Sequence, residues 1–370
     1  MSEVFLDAPN LGDSEKKYLA AAIDSNFVSA IGPFIPEFER KFASYVGSEC
    51  AVSVQSGTAA LHISLYELGI GPGDEVIVPA LTFMATINPV LYVGARPVIV
   101  DVDGETWNID TEAVQKAVTS KTKAVIPVHL YGNSSRLDDI LRVSEEHGLA
   151  VIEDATESLG ATYRGRHTGT LGNLGCYSFN GNKLITTGGG GMVVSNSEER
   201  ADHIKFLVNQ ARDESRGYYH PEIGFNYRMT NIEAALGLAQ LEKIGQFLEK
   251  KRKFRQIYEE VLGELPGVEF QKECEGASSS WWLTCIKIEE NIDLDGLIRR
   301  LRDMKIQTRR VFLPADGMPY LREFRRPCPR AAEIHRNGLC LPSSTLNTEE
   351  QIYRTAAILK KSLLKLTRRP

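Results

Sequence analysis

No apolar run in this 370-residue sequence is long enough to span a bilayer, so a helical membrane protein is excluded. Residues 1–10 carry no basic stretch followed by an apolar one. No signal peptide is therefore expected, and the reading is a cytoplasmic protein with no membrane partner. Cysteine is sparse: Cys50, Cys176, Cys274, Cys285, Cys328 and Cys340 are scattered, with no close pair of the kind that binds zinc or works as a redox motif. Reduced thiols and no metal site are the expectation. An excess of one charge is also missing. Lys and Arg number 43 against 48 Asp and Glu, a net −5, which argues against a surface built for nucleic acid. There are no internal repeats and no low-complexity segments. The length allows two domains, or one large domain with an appendage.

What is present is alternation. Residues 14–24 (SEKKYLAAAID) and 35–46 (IPEFERKFASYV) space their apolar residues as helices do, with Pro36 in a first turn that tolerates it. Between them FVSAIGPF reads as a loop. A short strand from Cys50 runs into Gln55-Ser56-Gly57-Thr58 and a helix over Ala59–Leu68. A strand, Ser-Gly-Thr and a helix present free N–H groups and a hydroxyl to an anion. The same residues also make an ordinary N-cap. Strand-like 75–80, 96–102, 123–130 and 149–154 then alternate with helical 82–94, 111–118 and 136–148. The strands are continuously apolar, as in a parallel sheet covered on both faces. An α/β doubly wound architecture follows, with ligands at the carboxyl ends of the strands. Asp154 ends one of these strands, where an acid is costly against a core. It can also cap the next segment, because Glu157 stands at capping-box spacing.

Residues 176–194, CYSFNGNKLITTGGGGMVV, read as a strand (Cys176–Phe179), a polar turn with Lys183, a glycine run (Gly188–Gly191) and a strand from Met192. Desolvation between buried strands favours the neutral amine, the form that attacks an aldehyde to make a Schiff base. A lone loop lysine is ordinarily solvated, and four glycines can be a flexible linker. Ser178, Asn180 and Asn182 beside the lysine favour a site. Past a helix over 197–210, the stretch 211–231 is too polar and aromatic for a simple linker. One long helix, about 232–265, is expected to join a large unit, 1–245, to a smaller C-terminal α+β unit, 246–370.

An anion cradle, an aromatic loop at Thr82-Phe83, the strand-end Asp154 and the turn Lys183 together match the needs of pyridoxal phosphate. Its phosphate needs N–H groups, its ring an aromatic face, its nitrogen a carboxylate and its aldehyde a lysine. At these residues the sequence resembles a known family, the fold-type I sugar aminotransferases called the DegT/DnrJ/EryC1/StrS group. The resemblance covers nearly the whole chain, through FVSAIGPFIPEFERKFASYVG, SGTAALHISL, GPGDEVIVPALTFMATINPV, VIEDATESLGATYRG, SFNGNKLITTGGGGM and GFNYRMTNIEAALGLAQLE. SFNGNK with TTGGGG, and DATESLG, look most like the branch that aminates UDP-linked 4-keto-6-deoxy sugars for bacillosamine or legionaminic acid precursors.

The resemblance implies a large domain with a mainly parallel sheet sandwiched by helices, a smaller α+β domain, and pyridoxal 5′-phosphate as cofactor. It places Lys183 on the aldehyde, Asp154 at the pyridine nitrogen, Phe83 over the ring, and Gly57, Thr58 and Ser178 at the phosphate. Glu157 falls near the hydroxyl edge and Asn180 among the cofactor residues. Asn226 falls where the family reaches the phosphate of a neighbouring subunit, so a homodimer with shared sites is expected. Ile31, Arg309, Phe312 and Asp316 fall at substrate-binding positions. One loop departs from the pattern, which usually reads Arg-Pro, an aromatic, a proline and His or Asn. Residues 309–316 read RRVFLPAD, which leaves the sugar open. The implied reaction is a ping-pong transfer from L-glutamate to C4 of a nucleotide-linked 4-keto-6-deoxy sugar. A sugar dehydratase of the same fold would carry histidine at the lysine position, and a regulatory homologue would have lost Lys183 or Asp154.

Overall fold

The computed structural model describes residues 2–289 and 292–366, and in it the alternation becomes a layered sheet. Two helices lead in, α1 (Asp13–Asp24) and α2 (Phe34–Val46). They are followed by β1 (Cys50–Val54), α3 (Gly57–Glu67), β2 (Glu75–Pro79), α4 (Asn88–Tyr92), β3 (Arg96–Val100), α5 (Thr111–Ala117), β4 (Thr122–Val125), α6 (Leu137–His147) and β5 (Ala150–Asp154). A hairpin, β6 (Thr162–Tyr163) and β7 (Arg166–His167), precedes β8 (Leu174–Ser178) and β9 (Gly191–Ser195). The seven-stranded sheet has the order β1-β9-β8-β5-β4-β2-β3. Every pairing from β3 to β8 is parallel, while β9 runs antiparallel to both β8 and β1.

Both faces of this sheet are dry. Successive side chains of a strand point to opposite faces. Val76 and Val78 accordingly pack into the core that holds α3, while Ile77 joins Val114 of α5 and Ile140 and Val143 of α6 on the other side. The helix α3 is buried from Ala59 to Leu65 and lies against β8 and β9. The mainly parallel α/β sheet sandwiched by helices is the architecture that the apolar strands require.

The chain continues through α7 (Glu198–Val208), α8 (Asn231–Leu241) and α9 (Ile244–Leu262). Beyond them lie β10 (Val268–Phe270), β11 (Ala277–Ser278), β12 (Thr284–Ile288), α10 (Leu294–Asp303), β13 (Arg309–Arg310), α11 (Pro329–Asn337), β14 (Gly338–Leu341) and α12 (Glu349–Leu366). An antiparallel sheet, β10-β12-β14-β13, packs with α9, α10 and α12 around Ile286, Leu297 and Leu359. Val4 joins this core and bridges to Ile306, and β11 reaches back to pair with β6.

Three expected elements differ from the observed ones. The single helix over about 232–265 is two helices. Lys243, at φ −102 and ψ −2, turns the axis between α8 and α9. Its Nζ bonds both carboxylate oxygens of Glu15 on α1 at 2.7 Å, and Gln240 bonds the same carboxylate at 2.6 Å, so tertiary contacts fix the break. The helical return over 82–94 is helical only from Asn88, because Pro89 favours a helix start. The strand expected over 123–130 ends at Val125, just before Pro127, which has no N–H for the ladder.

Candidate functional site

A cavity of about 320 Å³ opens where the start of α3, the segment after β5 and the β8–β9 turn converge. Trp282, Arg309 and Phe312 from the C-terminal part close its other side. Of the residues singled out in the sequence, Gly57, Thr58, Phe83, Glu157, Ser178, Asn180, Lys183, Arg309 and Phe312 all line it.

The start of α3 forms the N-cap and leaves the anion-cradle reading open. Ser56 is its N-cap, accepting from the N–H of Ala59 at 3.0 Å. The amides of Gly57 and Thr58 lie in the first turn, where a helix offers no internal acceptor, and both residues face the cavity. A Cβ at Gly57 would lie 2.9 Å from both the Ser178 and Thr156 side chains. Only glycine leaves that space open.

Asp154 is 2% exposed and lies behind the cavity lining rather than in it. Its Oδ1 accepts from the Thr156 hydroxyl at 2.7 Å and amide at 3.2 Å, and its Oδ2 accepts from the Thr86 hydroxyl at 2.7 Å. No helix follows it and Glu157 closes no capping box. Instead Glu157 Oε2 accepts from the Tyr131 amide at 2.9 Å, and its Oε1 lies 3.7 Å from Lys183 Nζ. Burial raises the Glu157 pKa, against the opposing pull of the Lys183 ammonium.

The Lys183 turn is held on several sides. The Lys183 amide donates to the Asn180 carbonyl at 2.9 Å, and Asn182 Nδ2 donates to Asp7 at 3.1 Å. Trp282 Nε1 donates to the Asn182 carbonyl at 2.7 Å, and Lys183 Nζ stands 4.2 Å from the centre of the Trp282 ring. The glycine run is ordered structure, not linker. Gly188 and Gly190 adopt φ of 88° and 89°, a region that disfavours a Cβ, and Gly189 and Gly190 line the cavity.

An aromatic wall completes the site. Phe83, 59% exposed, lies 5.7 Å from Phe312, which stacks on Tyr131 at 5.1 Å. Tyr131 is followed in turn by Trp282 at 6.2 Å, and its hydroxyl accepts from the Phe312 amide at 2.9 Å. Burial drives the Tyr131 phenol pKa well up, so it stays protonated. Arg309 faces the cavity; its Nε and Nη2 are buried without a hydrogen-bond partner among the described residues, and its Nη1 lies 3.6 Å from Asp7.

Three expected residues are elsewhere in this chain. Asp316 does not reach the cavity, because the loop turns inward after Phe312. Ala315 is buried, and its amide donates to the Ala80 carbonyl at 2.8 Å, which carries Asp316 into a short 3-10 turn. Ile31 is 63% exposed on a loop fastened by Asn231, and Asn226 is exposed on the segment bridging to Asn209. Conversely, Trp282, Tyr131, Thr86 and Asp7 belong to the site's structure and were not singled out. A Trp-Trp pair before an apolar strand reads as core, and only the fold brings it across to residue 183.

The residues present fit pyridoxal phosphate: amides and Ser178 around a space that only glycine leaves open, a buried carboxylate at a strand end, a cavity-facing amine and an aromatic wall. The chain is 41% identical to the GDP-perosamine synthase of Caulobacter vibrioides, over 98% of this chain and 99% of that one. It is 40% identical to the GDP-perosamine synthase of Escherichia coli O157:H7, over 93% and 94% of the two chains. Spr1654 of Streptococcus pneumoniae in its PMP form superposes with a TM-score of 0.93 at 25% identity, covering 100% of both chains, and is also solved in a PLP form. Pyridoxal 5′-phosphate is the cofactor. With residues 9–360 matching the family as a whole, the chain belongs to the DegT/DnrJ/EryC1/StrS aminotransferase family.

Proposed function

We propose that this enzyme moves an amino group from L-glutamate to the keto carbon, C4, of a nucleotide-linked 4-keto-6-deoxy sugar, in two half-reactions at one site. The observation that carries the reading is the Lys183 amine on the cavity wall, 3.7 Å from Glu157 and facing the same space as Arg309. When bound, pyridoxal phosphate supplies an electron sink that lets an amino group leave one carbon and be passed to another. Lys183 Nζ takes the proton from the donor's Cα and returns one in the second half-reaction, as general base and then acid. Asp154, fixed by Thr86 and Thr156, holds a proton on the ring nitrogen through a charge-assisted hydrogen bond. Gly57, Thr58 and Ser178 take the phosphate, and Phe83 covers the ring and sheds water from it. The Arg309 guanidinium, which faces the cavity, offers its positive charge to an anionic group of the substrate.

The relatives named for GDP-perosamine favour a guanine nucleotide over the uracil nucleotide suggested by the sequence motifs. The test is to incubate the enzyme with glutamate and a panel of GDP-, UDP- and dTDP-linked 4-keto-6-deoxy sugars and identify products by NMR. A 4-amino sugar from one of them, with 2-oxoglutarate released in equal amount, is the expected result. Failure with all 4-keto sugars and turnover of a 3-keto isomer would overturn the position of amination.

A further inference from the structure

Behind the Lys183 turn lies a buried ionisable group that the proposed chemistry does not use. Lys251, on α9, is 4% exposed, and its Nζ donates to the Trp282 carbonyl at 2.7 Å. The anchored residue is the one whose indole N–H donates to the Asn182 carbonyl at 2.7 Å and whose ring lies 4.2 Å from Lys183 Nζ. Thus a chain of two hydrogen bonds runs from a buried lysine amine to the peptide immediately before the reacting lysine. We infer that Lys251 is a positioning residue for the aminotransferase reaction, setting the Trp282 indole and, through it, the place of the Lys183 amine.

The physical argument is the cost of the alternative. A buried lysine whose one hydrogen-bond partner among the described residues is a carbonyl is an expensive way to fill space, and a methionine of similar volume would avoid the desolvation. Burial brings the Lys251 pKa down to about 7, with the Asp7 carboxylate working against it. Stability alone does not call for the group. Its geometry does something that an apolar side chain cannot. It fixes the Trp282 carbonyl, and because that peptide precedes the apolar strand β12, the indole is held between a rigid strand and the lysine turn. Small displacements of a reacting group are costly to rate, whereas the cradle at α3 is built from other residues and is untouched.

The inference rests on Lys183 being the reacting amine, and the experiment separates the two claims. Borohydride reduction of the wild-type holoenzyme, followed by peptide mapping, tests the lysine. Lys251→Met, prepared with 5-fluorotryptophan, tests the positioning, because the three indoles give three 19F signals, one assigned to Trp282 through Trp282→Phe. In Lys251→Met the Trp282 signal shifts while those of Trp107 and Trp281 stay, the melting temperature of the apo form is unchanged or higher, and kcat falls about tenfold with acceptor KM nearly constant. Trp282→Phe, which keeps a ring but removes the N–H, lowers kcat to a similar degree. An unmoved Trp282 signal, or a normal kcat in either variant, overturns the inference. If Lys251→Met fails to fold, the role is structural and the inference is likewise overturned, unless Trp282→Phe folds and shows the loss in kcat with KM held. Label on another lysine removes the reading beneath it, and does so without reference to either variant.

Discussion

At the scale of single residues, the site divides into what local chemistry announces and what only the fold assembles. Lys183 and Asp154 stood out in the sequence because a polar turn between apolar strands and an acid ending one are both costly unless used. Trp282 and Tyr131 gave no such signal, since a buried aromatic needs no explanation beyond the core. Asp154→Asn keeps the shape and one oxygen to accept from a threonine hydroxyl, but removes the charge. Turnover should fall at least about a hundredfold, if the electron sink is worth the ~3 kcal/mol that such preorganised groups supply. The measurement is single-turnover kinetics of the glutamate half-reaction, which should slow equally. Position in the cavity also separates Arg309 from Asp316, neighbours in one atypical loop. Arg309→Gln should cut acceptor kcat/KM by about ten- to a hundredfold, the loss of a charged hydrogen bond, while Asp316→Ala should stay near wild type. Equal losses in both would return the role to the loop as a whole.

At the scale of elements, the parallel strands were legible because each carries a short apolar run that reaches both faces of the sheet, and helix α3 because Ser56 starts it where Gly57 must be small. The break between α8 and α9 was not legible. Nothing in the local sequence ends a helix at Leu241, and the cause is the Glu15 carboxylate, 228 residues before Lys243 in the chain. That cause can be tested by pH. Burial alone would raise the pKa of Glu15, but the bonds from Lys243, Gln240 and the Gly12 amide outweigh it and leave it lowered. A lowered folded pKa means that the ionised carboxylate stabilises the fold above the unfolded value near ~4.3, and that this is lost as pH falls through the folded value. Glu15→Gln should therefore cost about 2 kcal/mol at pH 7. The gap in melting temperature between variant and wild type should close as the pH is lowered below ~4. A gap that persists undiminished in acid would place the stabilisation in packing rather than charge.

At the scale of the whole molecule, one expectation concerns residues that this chain does not bring to its own cavity. Asn226 and Ile31 are both exposed on segments fastened around the buried Asn231, whose side chain bonds the Phe27 carbonyl at 2.8 Å and the Phe34 amide at 2.9 Å. Around them lie the exposed apolar residues Phe27, Val28 and Ile223, the kind of surface that association would cover. We propose a two-fold dimer in which each chain presents Asn226 to the other's phosphate cradle at Gly57 and Thr58, so that each site is complete only on association. Cofactor binding and dimerisation are then linked, each strengthening the other. The test mixes two inactive variants, Lys183→Ala and Asn226→Asp, under conditions that allow subunits to exchange. Asn226→Asp sets a carboxylate against a phosphate and should itself abolish turnover, which is checked first. In the mixed dimer both lesions fall in one site and the other is intact, so up to about half of the heterodimer's sites regain activity. If Asn226 served its own chain's site, each site would carry one lesion and no activity would return, and a monomer with full turnover would refute the shared site outright.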